Sequence, residues 1–455
     1  MSAIVASASR PGTLRLPVTR GLLYLLILSF PFFSIRPKIF RPDWWIGGAL
    51  IVLSAFSTLV RGRFRVDPIG RAALWFNVAV ILSTAVNSIG WGAVQWEEFL
   101  TLWLQLVFAT LLYLAMANLR LSTPQLRSLL RFWIGVAVVV ALYGLYQALA
   151  RNLNWPLAYL PYLHSEPLPC ALKWGLGFAG YVRPSSVLRE PTYLGNYLLA
   201  PLFITAVLTF FKRDRFWLFK SKQLNRVSLL VLFVAFIISF ALAGYITLLA
   251  VMLIAAVSNR SSRNLVLRTT GTAVIIFILI ALVSWRLDLR FFDAIAERSK
   301  RVIATVISAE GTDAVDASAK IRLQEVLLTL STWTRHPVVG VGLNQLQFVG
   351  SLYVPETIPV RLAEHGSTHN MWLEVLVQSG VIGFLFFGLI WFQALRMMWA
   401  VFRQGGEPLR WLGFTFFFVL LATMIRGLMG GPFIFTLYWF YLGMASIIHR
   451  VARRE

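Results

Sequence analysis

Acid is scarce in this chain. Only 19 of its 455 residues are Asp or Glu, against 42 Lys plus Arg, and the charged residues together make up 13% of the sequence, about half the share of an ordinary soluble domain. Cysteine is nearly missing as well. Cys170 stands alone, so no disulfide can form within the chain. There is no internal repeat and no low-complexity tract. Nor can two halves with matching interrupted helices be paired, as inverted-repeat transporters would show. What fills the space is hydrocarbon. Hydrophobic residues account for 58% of the chain and the mean hydropathy is +0.72. With 35 Phe and 17 Trp there is ample material for aromatic belts at a membrane interface. These totals exclude a soluble globular protein and predict an all-α, polytopic integral membrane protein, with 1–455 as a single membrane domain.

A helix needs about 20 apolar residues to cross the hydrocarbon layer. Runs of that kind lie near 18–36, 44–61, 70–90, 96–118, 126–150, 191–211, 226–242, 243–258, 265–284, 370–397, 408–427 and 431–449. The spacing thus predicts about twelve spans. The seventh and eighth form one continuous run that must break, and Ala243-Gly244 is the expected place. The N-terminal run follows Arg10, Arg15 and Arg20 and precedes Arg36-Pro37-Lys38 without a small-residue cleavage site, so it reads as an uncleaved first span.

The basic surplus has a pattern. Arg61, Arg63, Arg65 and Arg71 share one short connection. Lys212, Arg213, Arg215, Lys220, Lys222 and Arg226 share another, and Arg450, Arg453 and Arg454 close the chain. Short basic loops on alternate connections are the positive-inside signature. That explains the charge better than a nucleic-acid partner does, and it sets both termini in the cytoplasm. Arg36, Lys38 and Arg41 break the pattern in one outer loop. Two long outward loops remain, 151–190 and 286–368. The larger holds nine Lys/Arg and nine Asp/Glu, so it lacks the cytoplasmic excess. Long structured loops of this kind are where function concentrates.

Three stretches could carry chemistry. In "HGSTHNMWLEVLVQSGVIGF", His365 to Phe384, a Ser or Thr N-cap would put His369 in the first turn of a helix at the outer interface. There it is either a general base for a hydroxyl or an interfacial histidine bonded to a neighbouring loop. His365 and His369 are four apart, a spacing that also fits a metal pair, although Gly366 interrupts it and no Cys or third His follows closely. Gly380 and Gly383 read as close helix packing. Glu374, one turn further in, needs a partner in hydrocarbon, and Arg426 at the end of the eleventh run is the expected one, as an ion pair or across a shared cavity. The second stretch, "YVRPSSVLREPTYLGNYL", brings Arg183, Arg189 and Glu190 to the start of the sixth run. The third, Lys320 to Phe348, reads as an amphipathic helix with apolar Leu323, Val326, Leu327, Leu330 and Trp333, ended by Pro337 and able to lie on the outer leaflet. Arg322 would be on its polar side. Guanidinium groups at a membrane surface suit pyrophosphate, because the planar fork grips two oxygens. Each of these arginines reads equally as a headgroup or ion-pair residue.

The three stretches, in this order, resemble the O-antigen ligase and O-antigen polymerase superfamily. Its C-terminal signature is His, then Asn, Ser or Gln, nine residues, Gly, two residues and Gly. Here it reads His369-Asn370, nine residues from Met371 to Ser379, then Gly380 and Gly383. "RHPVVGVGLNQLQF" resembles the family's Pro-x-x-Gly-x-Gly segment, with Arg322 upstream. The family usually has Gly where Ser186 stands, Pro-Asn where Pro191-Thr192 stands, and often Ser-Arg-Gly near Ala241-Leu242-Ala243-Gly244. The resemblance implies a glycosyltransferase of the bacterial inner membrane with a periplasmic active site, inverting and metal-independent. Its donor would be a glycan on undecaprenyl pyrophosphate. Its acceptor would be lipid A-core in a ligase or another lipid-linked glycan in a polymerase. On that resemblance His369 is the base and Arg183, Arg189 and Arg322 hold the pyrophosphate, with Glu190, Glu374, Arg426 and His365 in support. No cofactor is expected. A lipid or glycan transporter using the same outer cavity is the reading from a different class.

Overall fold

A backbone amide in hydrocarbon has no water to bond, so each crossing segment must pair its own N–H and C=O groups. Leu, Val, Ile, Phe and Ala in unbroken runs do this as helices. A computed structural model describes residues 15–33, 41–61, 64–91, 94–160, 181–210, 221–258, 260–307, 317–354, 368–407 and 409–455, and among them every regular element is helical. The major helices are α1 (Arg15–Ser29), α2 (Pro42–Arg61), α3 (Pro68–Trp91), α4 (Trp96–Asn118), α5 (Thr123–Asn152), α6 (Pro191–Phe210), α7 (Lys222–Ile238) and α8 (Leu242–Ser258), followed by α9 (Arg260–Arg286), α10 (Phe291–Ile307), α11 (Ala317–Arg335), α12 (Met371–Gln404), α13 (Leu409–Gly427) and α14 (Thr436–Ala452). Each apolar run contains one of these helices. Among the described residues seven helices, α2 to α6 with α12 and α13, are long and apolar enough to cross a membrane, and shorter apolar stretches lie in α1, α8 and α9. Large apolar side chains such as Leu59, Ile89, Val257 and Trp285 stand exposed, as they would against lipid.

The centre of the bundle is α12. It packs along α3, α13 and α14 and receives α11 from the side. Its inward face is aromatic: Phe387 and Trp391 meet Trp372, Phe433 and Tyr438. Trp133, Trp391 and Trp439 are fully buried.

Helix α12 is two helices. At Gly380 the backbone turns to φ 62°, ψ −168°, a region that essentially only Gly occupies. The turn frees carbonyls above it and amides below it, and one loop takes up both sets. Val341 N–H donates to the Val377 carbonyl (2.8 Å) and Gly342 N–H to Gln378 (3.0 Å), while Val381 N–H donates to Pro337 (2.9 Å) and Ile382 N–H to Val338 (3.3 Å). A side chain on Gly340 would strike Val377 and Gly380, and one on Gly380 would strike the Val338 carbonyl. The glycines at 340 and 380 are therefore the two halves of one joint. The sequence reading of Gly380 as helix packing is corrected: it breaks the helix. Gly383 leaves room for the Ser379 side chain one turn back.

One other expectation changes. The break between α7 and α8 falls at Ser239–Ala241, with Phe240 at φ 55°, a few residues before Ala243-Gly244. Apolar side chains alone do not mark where a continuous run turns. Helix α11 leaves Leu323, Leu327 and Leu330 of its apolar stripe exposed, as a helix lying against lipid would, and buries Glu325, Leu328, Thr329 and Thr332 against the bundle.

The joint makes a prediction. Gly380→Ala must force a backbone that costs roughly 1–3 kcal/mol for a residue with a Cβ and must also displace the Val338 carbonyl. Its melting temperature in detergent, followed by tryptophan fluorescence, should fall by several degrees. Gly388→Ala, eight residues on where a Cβ meets nothing within 4 Å, should leave it unchanged or raise it.

Candidate active site

The loop that closes the α12 joint is stitched to α3 and α4. The Ser83 hydroxyl lies against the carbonyls of Val339 and Gln378, and the Asn87 amide donates to the Gly340 carbonyl (2.9 Å). Thr84 accepts from Leu343 N–H (3.1 Å), Gln345 exchanges two bonds with the Gln95 backbone, and Asn344 donates to the Glu98 carboxylate (2.8 Å). This fixes the C-terminal end of α11 beside the N-terminal half of α12. The contact that follows carries chemistry.

His369 Nδ1 lies 2.9 and 2.8 Å from the two carboxylate oxygens of Glu325. The Glu325 side chain is 4% exposed and the imidazole 48%. A carboxylate only accepts, so in the neutral ring Nδ1 carries the proton and Nε2 keeps the lone pair. The arrangement is an oriented imidazole, about half exposed, backed by a buried acid. Glu325 was legible beforehand only as one of nine acids in the large loop; its burial on the polar side of α11 is what singles it out.

The histidine does not sit in the first helical turn. It precedes the helix at φ 42°, and Asn370 is the N-cap, its side chain accepting from Trp372 N–H (3.0 Å) and Leu373 N–H (3.1 Å). Asn outcompetes Thr368 because it stands one residue ahead of the first helical amides, and Thr368 instead donates to the Asn370 carbonyl (2.9 Å). Trp372 Nε1 bonds the Met424 carbonyl of α13 (3.0 Å), which anchors the cap. His365, with Gly366 and Ser367, lies outside the described residues, and so does the metal pair read from it. Among the described residues no three His, Cys, Asp or Glu converge as metal ligands.

The second stretch is clamped to the end of α5. Gln147 Oε1 accepts from the amides of Ser185 (2.8 Å) and Ser186 (2.7 Å). Arg151 donates to the Arg183 carbonyl (2.6 Å) and to the Ser185 hydroxyl (3.1 Å). Asn152 exchanges two bonds with the Val182 backbone. Ser186 is at φ 55° and donates to the Val140 carbonyl (2.7 Å). The left-handed backbone is the physical reason a Gly suits this position, and the buried hydroxyl bond is how a Ser is held in it. Gln147 and Arg151, neither of them picked out in the sequence, set the loop that presents Arg183, Arg189 and Glu190.

At the other end of that loop three elements meet. Arg322 is exposed on α11, one turn before Glu325. Arg426, at the end of α13, lies within electrostatic range of Arg322, of Glu190 and of Tyr193. Arg189 and Glu190 both act on Tyr193. Arg189, Glu190, Arg322 and Arg426 therefore share a neighbourhood, and Glu325 ties it to His369. Arg183 lies at the opposite end of the clamped loop, beside Tyr181. The expected Glu374–Arg426 ion pair does not form. Arg426 bonds Asn196 of α6 and the Gly430 carbonyl, while Glu374 lies near Gln378 on its own helix and within electrostatic range of His369. The two project from neighbouring helices toward different partners.

The O-antigen ligase family model matches residues 227–388. The match covers the α12 joint, Arg322, Glu325, His369, Gly380 and Gly383, and stops short of Arg183, Arg189, Glu190 and Arg426. No curated protein matches the chain.

The clamp is testable by amide exchange. Gln147→Leu removes the shared acceptor of two buried amides. Exchange at Ser185 and Ser186 should quicken by about tenfold, the equivalent of roughly one hydrogen bond, with exchange in α12 unchanged.

Proposed function

We propose, on the match of the O-antigen ligase family model to residues 227–388, that this chain belongs to that glycan-transferring superfamily and moves a glycan from undecaprenyl pyrophosphate to a sugar hydroxyl of lipid A-core at the periplasmic face of the bacterial inner membrane. The chain crosses that membrane about twelve times, with both termini in the cytoplasm. The single observation that carries the reading is the Glu325–His369 pair at the rim of α12.

The steps follow from the residues. The acceptor hydroxyl gives its proton to His369 Nε2 as its oxygen bonds to the anomeric carbon of the donor sugar. The bond from that carbon to the phosphate oxygen breaks, and its electron pair leaves with undecaprenyl pyrophosphate. Attack opposite the departing oxygen inverts the carbon. Glu325 keeps Nδ1 protonated and stabilises the imidazolium that forms, so it positions and supports the base. The leaving pyrophosphate needs charge, not a proton. Arg322 and Arg189 supply it, as fixed guanidiniums do wherever negative charge develops, which makes a divalent ion unnecessary in this scheme; Arg183, at the far end of the loop, stands apart from that pair. Glu190 and Glu374 support the cationic and imidazole sides respectively. The exposed Leu323, Leu327 and Leu330 of α11 suit contact with the lipid chains of the donor's own leaflet.

The reaction is tested with purified protein, lipid-linked glycan, lipid A-core and a chelator, without ATP. Transfer is expected. His369→Ala should lower kcat by at least about 10²–10⁴-fold, the range of a general base, with donor binding kept. Glu325→Gln should lower kcat and leave donor KM nearly unchanged. His369→Gly, tolerated at a positive φ, should regain part of its rate with added imidazole. Undiminished transfer by His369→Ala would remove the base assignment. Extension of a second lipid-linked glycan in place of lipid A-core would make the enzyme a polymerase.

A further inference from the structure

Beneath the arginine neighbourhood is a cavity that the transfer scheme does not use. It holds about 20 Å³ and lies between α6, α13 and α14, lined by Asn196, Thr423, Arg426, Tyr438 and Tyr441 with apolar neighbours. A space of that size accepts one water-sized group.

Its chemistry is one-sided. Arg426 is 5% exposed, and no carboxylate among the described residues forms an ion pair with it. Of the five N–H donors of a guanidinium, one goes to Asn196 and one to the Gly430 carbonyl. Tyr441 is 3% exposed and its hydroxyl is buried without a hydrogen-bond partner. The Thr423 hydroxyl already donates to the Val419 carbonyl (2.8 Å). No Asp or Glu lines the space. Glu190 lies within electrostatic range of Arg426 but not in ion-pair contact, and a buried cation without a contacting carboxylate is costly, as is a buried hydroxyl without a partner. Water would satisfy the hydroxyl. It would not neutralise the guanidinium.

We propose that this cavity is a binding site for one small anion, held by the Arg426 guanidinium and the hydroxyls of Tyr441 and Tyr438. The volume admits a single halide or one projecting oxygen of a phosphate, and is too small for a whole pyrophosphate. The site does not depend on the glycan-transfer reading, because its occupancy is measured as binding.

The experiment uses the full-length protein in detergent, in gluconate buffer at constant ionic strength, with melting followed as sodium chloride or inorganic pyrophosphate is titrated. A saturable rise in melting temperature with chloride identifies a free halide as occupant. A rise with pyrophosphate alone identifies a phosphate oxygen. In either case Tyr441→Phe, which keeps the ring and loses the donor, should weaken the response midpoint about tenfold, as expected for one hydrogen bond to a charged group. Arg426→Gln should abolish the response while raising or preserving the anion-free melting temperature, since it removes the buried charge. No saturable response to either anion, or an unchanged midpoint in Tyr441→Phe, overturns the proposal.

Discussion

A helix that stops in the middle of a bundle sets free amides and carbonyls where no water can reach them. Those groups must be paired or the bundle does not hold. In this chain the stop is at Gly380, and the loop 337–342 pairs both sides of it. Much of the rest follows from that obligation. The loop cannot leave α12, so the end of α11 cannot either. With α11 held alongside, Glu325 is delivered to His369. Ser83, Thr84, Asn87, Gln95 and Glu98 secure the same loop from α3 and α4. None of these five touches the imidazole, yet its position depends on them.

The signature spacing then has a mechanical meaning. Nine residues separate Asn370 from Gly380, and they form the N-terminal half of α12. At about 1.5 Å per residue this half-helix is roughly 13 Å long. One end is fixed by the joint and the other by the Asn370 cap and the Trp372 bond to α13. A residue inserted between them would rotate His369 by about 100° around the helix and carry it away from Glu325. The spacing is a ruler between a structural fixture and a titratable group, which is why both glycines and the histidine belong to one pattern.

Parts of this were open to a reader of the sequence and parts were not. The helical runs were plain, because hydrocarbon periodicity and length are local properties. So were His369, Arg322 and the Arg189-Glu190 pair, which stand out as polar groups beside apolar segments. Glu325 was not, since its significance lies in a contact with a residue 44 positions away. Gly380 was noticed and misassigned, because a lone Gly in a span is compatible with close packing or a break until its φ is known. Gln147 and Arg151 gave no signal at all. Their work is to hold the backbone of a loop that is itself chosen for its arginines.

The electrostatic plan of the outer rim also differs from simple pairing. Acid and base meet at Glu325 and His369, where one oriented proton acceptor results. Among the cations, Arg322 and Arg426 lie within range of each other with Glu190 nearby, and Glu374 stays on its own helix near Gln378. If Glu374 neutralised Arg426, the rim would lose an attractive charge and the imidazole would lose an acidic neighbour. Like charges held near one another destabilise the protein, Glu190 offsets that cost in part, and an arriving anion would offset it further.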